Sequence, residues 1–395
     1  MGTHTRIDTS SRALKRRPTL DGLRGIAILL VWFGHSNLPF LPAPEAGVDI
    51  FFALSGYLIT GILLRGVDFA AFYKRRARRL LPALAGVLFL AVVLRVAAGG
   101  AALAGELRSL VPIALYAGNY VQRPGDLAQM WSLAVEEQFY MLWPLVMFLV
   151  VLRLPRWRAW TLGGMLAAVS VPVLLLPHGP DIIDGSVASH IADYQQLLIG
   201  CWCALLPTLR VRAWITTLCL GGVLALGYAM QIHPLAYSFA LPELVTLLSG
   251  VLILTTSARV GVGRLLANPV LVFFGRISYS LYLWHYPIFY YVSRSALYGQ
   301  LPDWARLLEV LAIALIVSAV SYEFVERRFI NSPTLLRWSA GNAWAADHSG
   351  DDLHSHELTD TPPEQGTRGE QIERVPLGAP MRPGGTAPRP ATPGQ

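Results

Sequence analysis

Apolar stretches of about 17 to 24 residues alternate with short polar connections along most of this chain, each stretch long enough to cross a ~30 Å hydrocarbon core. They fall at 21–38, 47–65, 80–98, 131–152, 157–176, 192–208, 213–230, 238–257, 269–293 and 304–325. The runs are continuous and rich in Leu, Ala and Val, without the alternation of a barrel strand. Lipid accepts no open sheet edge and no unpaired backbone. The pattern therefore predicts an all-α fold, a polytopic membrane bundle of about ten transmembrane helices. The stretch 108–121 is apolar but short. Its Pro112 and Asn119, followed by Gln122-Arg123-Pro124-Gly125, suit a surface or re-entrant segment. The first run follows Lys15-Arg16-Arg17, as the core of a signal peptide would. It leads straight into a second span with no convincing small-residue cleavage site, which marks it as a retained helix.

Placement of the basic residues orients this bundle. Arg12, Lys15, Arg16 and Arg17 precede the first span; Arg65, Lys74, Arg75, Arg76, Arg78 and Arg79 lie between the second and third. Arg153, Arg156 and Arg158, then Arg210 and Arg212, then Arg259 and Arg264, and finally Arg327, Arg328 and Arg337 occupy every other connection after that. The intervening connections hold few or none. The positive-inside rule turns this alternation into an N-in, C-in topology with an even number of spans. The domain reading is a basic cytoplasmic N-terminus (1–17), a membrane domain (18–330) and a polar tail (340–395). The tail is rich in Pro, Gly, Thr and Glu and too polar to offset its ordering entropy, so it is expected to be a disordered cytoplasmic segment.

Composition adds three points. Of the 395 residues, 54% are hydrophobic and 14% charged, well below the charge of a soluble domain. The net charge of +7 is explained by topology rather than by nucleic-acid binding. Cys201, Cys203 and Cys219 lie in or beside apolar stretches, an odd number with no ligand spacing, and read as packing residues rather than a disulfide or metal site.

The chemistry should lie where polar side chains interrupt apolar spans, since each such group costs ~2.5–3.5 kcal/mol to insert. The first span contains Asp21, Arg24 and His35. Arg24 and His35 are eleven residues apart, three turns plus about 20°, so they share one face about 16 Å apart along the axis. A cation toward the cytoplasmic end and an imidazole toward the outer half could line a passage for an elongated anionic ligand. The blander alternative has Arg24 reaching the headgroups and His35 bonding a neighbouring helix. Asp49 opens the second span and is placed to orient His35; Ser55-Gly56 follows, small enough for close helix packing. Trp131 begins the fourth span, where Ser132, Glu136 and Tyr140 recur at i, i+4 and i+8 as a polar stripe. Glu136 should face the bundle interior, while the adjacent Glu137 could reach the headgroups. Tyr282 and His285 place a second imidazole in the ninth span, where a packing role is the simpler reading. The loop Lys74–Arg79 before Pro82 serves topology or holds phosphates, and these two readings stand side by side. No phosphate loop, zinc-type motif or nucleophile elbow accompanies these residues.

Taken in order, Leu20-Asp21-Gly22-Leu23-Arg24-Gly25 with His35, Gly47-Val48-Asp49-Ile50-Phe51-Phe52 through Ser55-Gly56, Arg75-Arg76 and Arg78-Arg79 before Pro82, Trp131-Ser132-Leu133 to Tyr140, Ile277 through His285 and Glu323 to Arg328 resemble the acyltransferase-3 family of membrane O-acyltransferases. The resemblance covers about 18–330. It implies transfer of an acyl group, usually acetyl, from cytoplasmic acyl-CoA as co-substrate to a hydroxyl, commonly of a carbohydrate or glycosylated metabolite. It implies no bound cofactor or metal and residence in the cell inner (plasma) membrane. It maps the family's Arg and His pair onto Arg24 and His35 and its acid onto Glu136. Arg24, Arg75, Arg76, Arg78 and Arg79 are then expected to guide the donor. His35 acts as general base or transient acyl carrier, supported by Asp49 or Glu136. Asp21, Ser55, Asn119, Trp131, Ser132, Tyr140, Tyr282 and His285 are further pocket candidates. Polysaccharide-modifying members often carry an esterase-like domain after the core; here only the polar tail follows, so the chain is expected to complete transfer itself or with a separate partner. A transporter or flippase of small solutes or lipid-linked saccharides is the rival class, because intramembrane Arg, His and Glu serve it equally well.

Overall fold

A computed structural model of the chain describes residues 17–35, 41–66, 68–99, 103–121, 123–175, 187–209, 211–232, 241–256, 261–294 and 302–330. Every regular element among them is helical. They are α1 (Pro18–Gly34), α2 (Pro44–Leu63), α3 (Phe69–Ala98), α4 (Leu103–Arg108), α5 (Leu110–Ala114), α6 (Met130–Val146), α7 (Arg158–Leu175), α8 (Val187–Cys203), α9 (Ala213–Ile232), α10 (Leu241–Thr255), α11 (Gly261–Leu266), α12 (Pro269–Val292), α13 (Asp303–Ser321) and α14 (Arg327–Ile330). Single π-helical turns extend α6 over Met147–Val151 and join α13 to α14 over Tyr322–Glu326. Residues 1–16 and the polar segment 340–395, expected to be tails, lie outside the described residues.

Each of the ten apolar stretches coincides with a helix. Among the described residues, five helical stretches are long and apolar enough to cross a membrane: Pro44–Leu63, Phe69–Ala98, Met130–Val151, Ala213–Ile232 and Trp304–Phe329. Helices α1, α8 and α10 are shorter, at 17, 17 and 15 residues. Burial among neighbours explains how α1 carries polar groups: eleven of its residues are buried, and it packs between α2 and α12. The longer helices at the margin expose large apolar side chains instead. Phe89, Val93 and Val96 of α3 and Trp304, Ile316 and Val320 of α13 are exposed, as a lipid-facing surface requires. The chain is thus an all-helical, multi-pass membrane protein. The segment 108–121 forms no long helix, only α5 and a short 3₁₀ turn at Gly118–Tyr120.

One expectation is corrected. Lys74–Arg79 is not a loop, because α3 begins at Phe69, with the Asp68 carboxylate capping the Ala70 amide at 3.1 Å. Pro82 sits inside this 30-residue helix rather than ending it. The basic run is therefore a helical turn and a half, and its arginines point in different directions.

Backbone-to-backbone contact at two interfaces fixes the central packing. A Cβ on Gly22 or Gly25 of α1 would strike the backbone of Leu266 or Leu271, and one on Gly275 of α12 would strike the backbone of Asp21. Across the other interface, Gly56 of α2 lies against Leu197 of α8, and Gly200 of α8 against Ala53 of α2. Without a hydrophobic force between helices in lipid, such close approach is what drives association. Gly275→Leu should therefore lower the stability of the detergent-solubilised protein by at least ~1–3 kcal/mol. Gly61→Ala, whose Cβ would meet nothing within 4 Å, should leave the melting temperature unchanged or raise it; a thermal unfolding series checks both.

Candidate active site

The docking of α1 between α2 and α12, closed by α3 and α6, leaves a cavity of about 210 Å³. Its polar wall holds Arg24, Ser55, Arg76, Arg79, Glu136 and Glu137, with Ser132, Tyr140, Ser278 and Tyr282 adding hydroxyls. Phe51, Phe52, Ile59 and Phe72 supply much of the apolar wall. Three guanidiniums against two carboxylates leave the cavity cationic, suited to an anionic ligand with an apolar stem.

Most of these groups already hold one another. The Glu136 carboxylate accepts from Ser55 Oγ at 2.5 Å and Tyr140 Oη at 2.8 Å, so the i, i+4 stripe of α6 does face inward. Glu137 also turns inward, contrary to the expectation that it reaches the headgroups. It is buried and accepts Arg76 on both carboxylate oxygens, the Nε bond measuring 2.8 Å. The Arg76 guanidinium lies 3.2 Å from the Tyr140 ring centroid, a cation–π contact that completes the desolvated pair. Arg24 Nη2 donates to Ser278 Oγ at 3.2 Å, while its Nε is buried with no hydrogen-bond partner among the described residues. Of the basic run, Arg76 and Arg79 line the cavity one turn apart; Arg75 and Arg78 are not among its lining residues.

His35 does not line the cavity either. It stands just past the end of α1, its ring 5.2 Å from that of His285 and edge-on to Tyr286 at 5.0 Å. His285 in turn packs on Tyr282 with ring centroids 5.5 Å apart, so Tyr282 separates the cavity from the imidazole pair. The Tyr282 hydroxyl bonds Ser132 and donates to the Gln129 carbonyl at 3.0 Å. His35 Nδ1 lies 2.7 Å from the Val31 carbonyl, and His285 Nδ1 lies 3.1 and 2.9 Å from the Leu281 and Tyr282 carbonyls. A carbonyl only accepts, so both neutral rings carry their proton on Nδ1 and keep a lone pair on Nε2. Backbone thus sets the tautomer that the sequence assigned to Asp49 or Glu136.

Asp49 is buried among α2, α8 and α10, bonded to Gln196 and facing Glu243, Glu45 and Asp193. Glu45, in the first turn of α2, is instead the carboxylate set where α2 meets the end of α1 at Gly34 and Pro44. Asp21 lies in the first turn of α1 and packs its backbone on Gly275, outside the cavity lining. Asn119 is buried against Gln138, accepting from its Nε2 at 2.8 Å, and Trp131 stands edge-on to Phe52 at 6.3 Å; neither lines the cavity. Sequence reasoning missed Ser278 and Tyr279, although Ser278 lies one helical turn before Tyr282. It also missed Glu326, which the π turn brings inside to accept from Ser280.

With the cavity and its neighbours described, comparison with known proteins supplies the family. Residues 17–324 match the acyltransferase-3 family, described as an acyltransferase domain, and the chain belongs to that family. It is similar to O-acetyltransferase OatA of Staphylococcus aureus (strain NCTC 8325 / PS 47), with 29% identity covering 78% of this chain and 56% of that protein. A putative O-acetyltransferase, SAS0844 of S. aureus (strain MSSA476), is 29% identical over 81% of this chain and 58% of its own length. The chain thus spans little more than half the length of these relatives. No solved structure matches it.

The Arg76–Glu137 pair yields a test. Removing one partner strands a buried charge, so Glu137→Ala should cost ~3–5 kcal/mol, whereas Arg76→Met with Glu137→Leu should recover most of that loss. Unfolding midpoints of the two variants against wild type measure the difference.

Proposed function

We propose that the protein transfers an acetyl or other short acyl group from acyl-CoA to a hydroxyl of a carbohydrate or glycosylated metabolite, as a ten-span, N-in and C-in protein of the plasma membrane. The observation that carries this reading is the cationic cavity beside the Nδ1-tethered His35–His285 pair. In this reading the donor's phosphates meet Arg24 and Arg79 at the cytoplasmic end, with Arg75 and Arg78 attracting them from the membrane surface. The pantetheine arm runs along Phe51, Phe52 and Ile59. The thioester lies at Tyr282, whose side chain must turn away from Ser132 to admit it to His35.

There the acceptor hydroxyl attacks the thioester carbonyl, its proton passing to His35 Nε2. The C–S bond breaks as the C–O ester bond forms, and the imidazolium then protonates the departing thiolate. Glu136, held by Ser55 and Tyr140, balances the arginines rather than touching the imidazole. The names of the relatives, which describe O-acetyl transfer, support the ester-forming direction.

Membranes containing the protein and its endogenous acceptor, supplied with labelled acetyl-CoA, should incorporate label into alkali-labile ester. His35→Ala should reduce that rate by at least ~10²-fold with normal insertion. Arg24→Ala should raise the KM for acetyl-CoA more than it lowers kcat. No labelling by wild-type membranes would reject the reading, and an unchanged rate in His35→Ala would remove that imidazole from the reaction.

A further inference from the structure

Resting on the acyl-transfer reading, we propose that Glu45 is the positioning carboxylate of His35, supplying the counter-charge for the imidazolium that forms when His35 takes the hydroxyl proton. Glu45 lies outside the segments that carry the family resemblance, and its place is set by how α1 meets α2. Helix α1 ends at Gly34, directly against the start of α2, where a Cβ on Gly34 would lie 2.6 Å from the Pro44 nitrogen. The next residue on one side is His35 and on the other Glu45. Glu45 thus stands in the first turn of α2 where His35 leaves α1, close enough for its charge to be felt at His35, Tyr282 and Asp49. Its Oε2 is buried and has no hydrogen-bond partner among the described residues. A buried acceptor without a partner calls for one.

Two features of its surroundings bear on this carboxylate. It sits in the first turn of α2, where the helix dipole favours an anion. The other groups packed on His35 are His285 and Tyr286 of α12, with Tyr282 behind His285, and none of these carries negative charge. A proton gained on His35 is therefore opposed by one imidazole and favoured by Glu45. The Val31 carbonyl already fixes the tautomer, so the role left for Glu45 is charge alone. That separates it from an orienting carboxylate and makes it visible in the pH dependence.

The same membrane labelling, followed as initial rate against pH, tests this. In Glu45→Gln the imidazolium loses its counter-charge, His35 stays a base to lower pH, and the acid limb of kcat/KM should move down by about one unit. The plateau rate should fall about tenfold, with the KM for acetyl-CoA changed by less than about twofold. Glu45→Ser, measured in parallel in case Glu45→Gln does not accumulate, should show the same shift. Glu45→Asp should return the limb toward wild type. A superimposable pH profile in Glu45→Gln or Glu45→Ser would overturn the proposal, and so would equal losses in Glu45→Asp and Glu45→Gln with the limb unmoved. Absence of labelling in wild type would instead sink the acyl-transfer reading on which it rests.

Discussion

The constraint on which the rest depends is the backbone contact between α1 and its neighbours. Gly22 and Gly25 let α1 touch Leu266 and Leu271, and Gly275 lets α12 touch Asp21. Helices that close have no room for side chains between them, so the polar residues of α1 are forced to the one side where α2, α3 and α6 stand back. Arg24 reaches Ser278 there, and the end of the same helix carries His35 to His285. The register of α1 against α12 is fixed once, by glycine, and it positions a cation and an imidazole together.

Charge is organised along the same axis. Guanidiniums gather in the cavity, where Glu137 holds Arg76 through two hydrogen bonds while Glu136 is itself held by Ser55 and Tyr140. Carboxylates gather around the start of α2, where Glu45, Asp49, Asp193 and Glu243 face one another. Tyr282 stands between the cavity and the imidazoles. A bundle with mixed charge throughout would neutralise itself locally. This one keeps a cationic region and an acidic region apart, with two imidazoles near the boundary.

Much of this was legible in the residues. Apolar length located a helix at each of the ten stretches, though α3 begins eleven residues earlier than expected, and the spacing of Ser132, Glu136 and Tyr140 gave the inward stripe of α6. The misplacements share a physical cause. Helical periodicity gives the direction of a side chain around its own axis but not which neighbour stands opposite. Glu137 looked peripheral because its partner Arg76 was assigned to a loop, and that loop proved to be helix. Asp49 looked like a partner for His35 by order along the chain, yet α2 turns it toward α8 and brings Glu45 round instead. The spacing set Arg24 and His35 on one face, but only Arg24 lines the cavity, because Tyr282, from a helix some 250 residues away that no local pattern announces, packs between the cavity and the imidazoles.

The π turn after α13 has a consequence for how this segment tolerates change. A π turn accommodates one residue more than an α turn, so everything beyond it is rotated by about 100° relative to the uninterrupted helix. That extra rotation lets Glu326 sit inside, bonded to Ser280, while Glu323 in the same turn stays outside beside Arg327. Single-residue deletion and point substitution therefore differ in kind here. A substitution alters one contact, whereas losing any one residue of Tyr322–Glu326 would restore the ordinary winding and turn Arg327–Ile330 by about 100° against their neighbours.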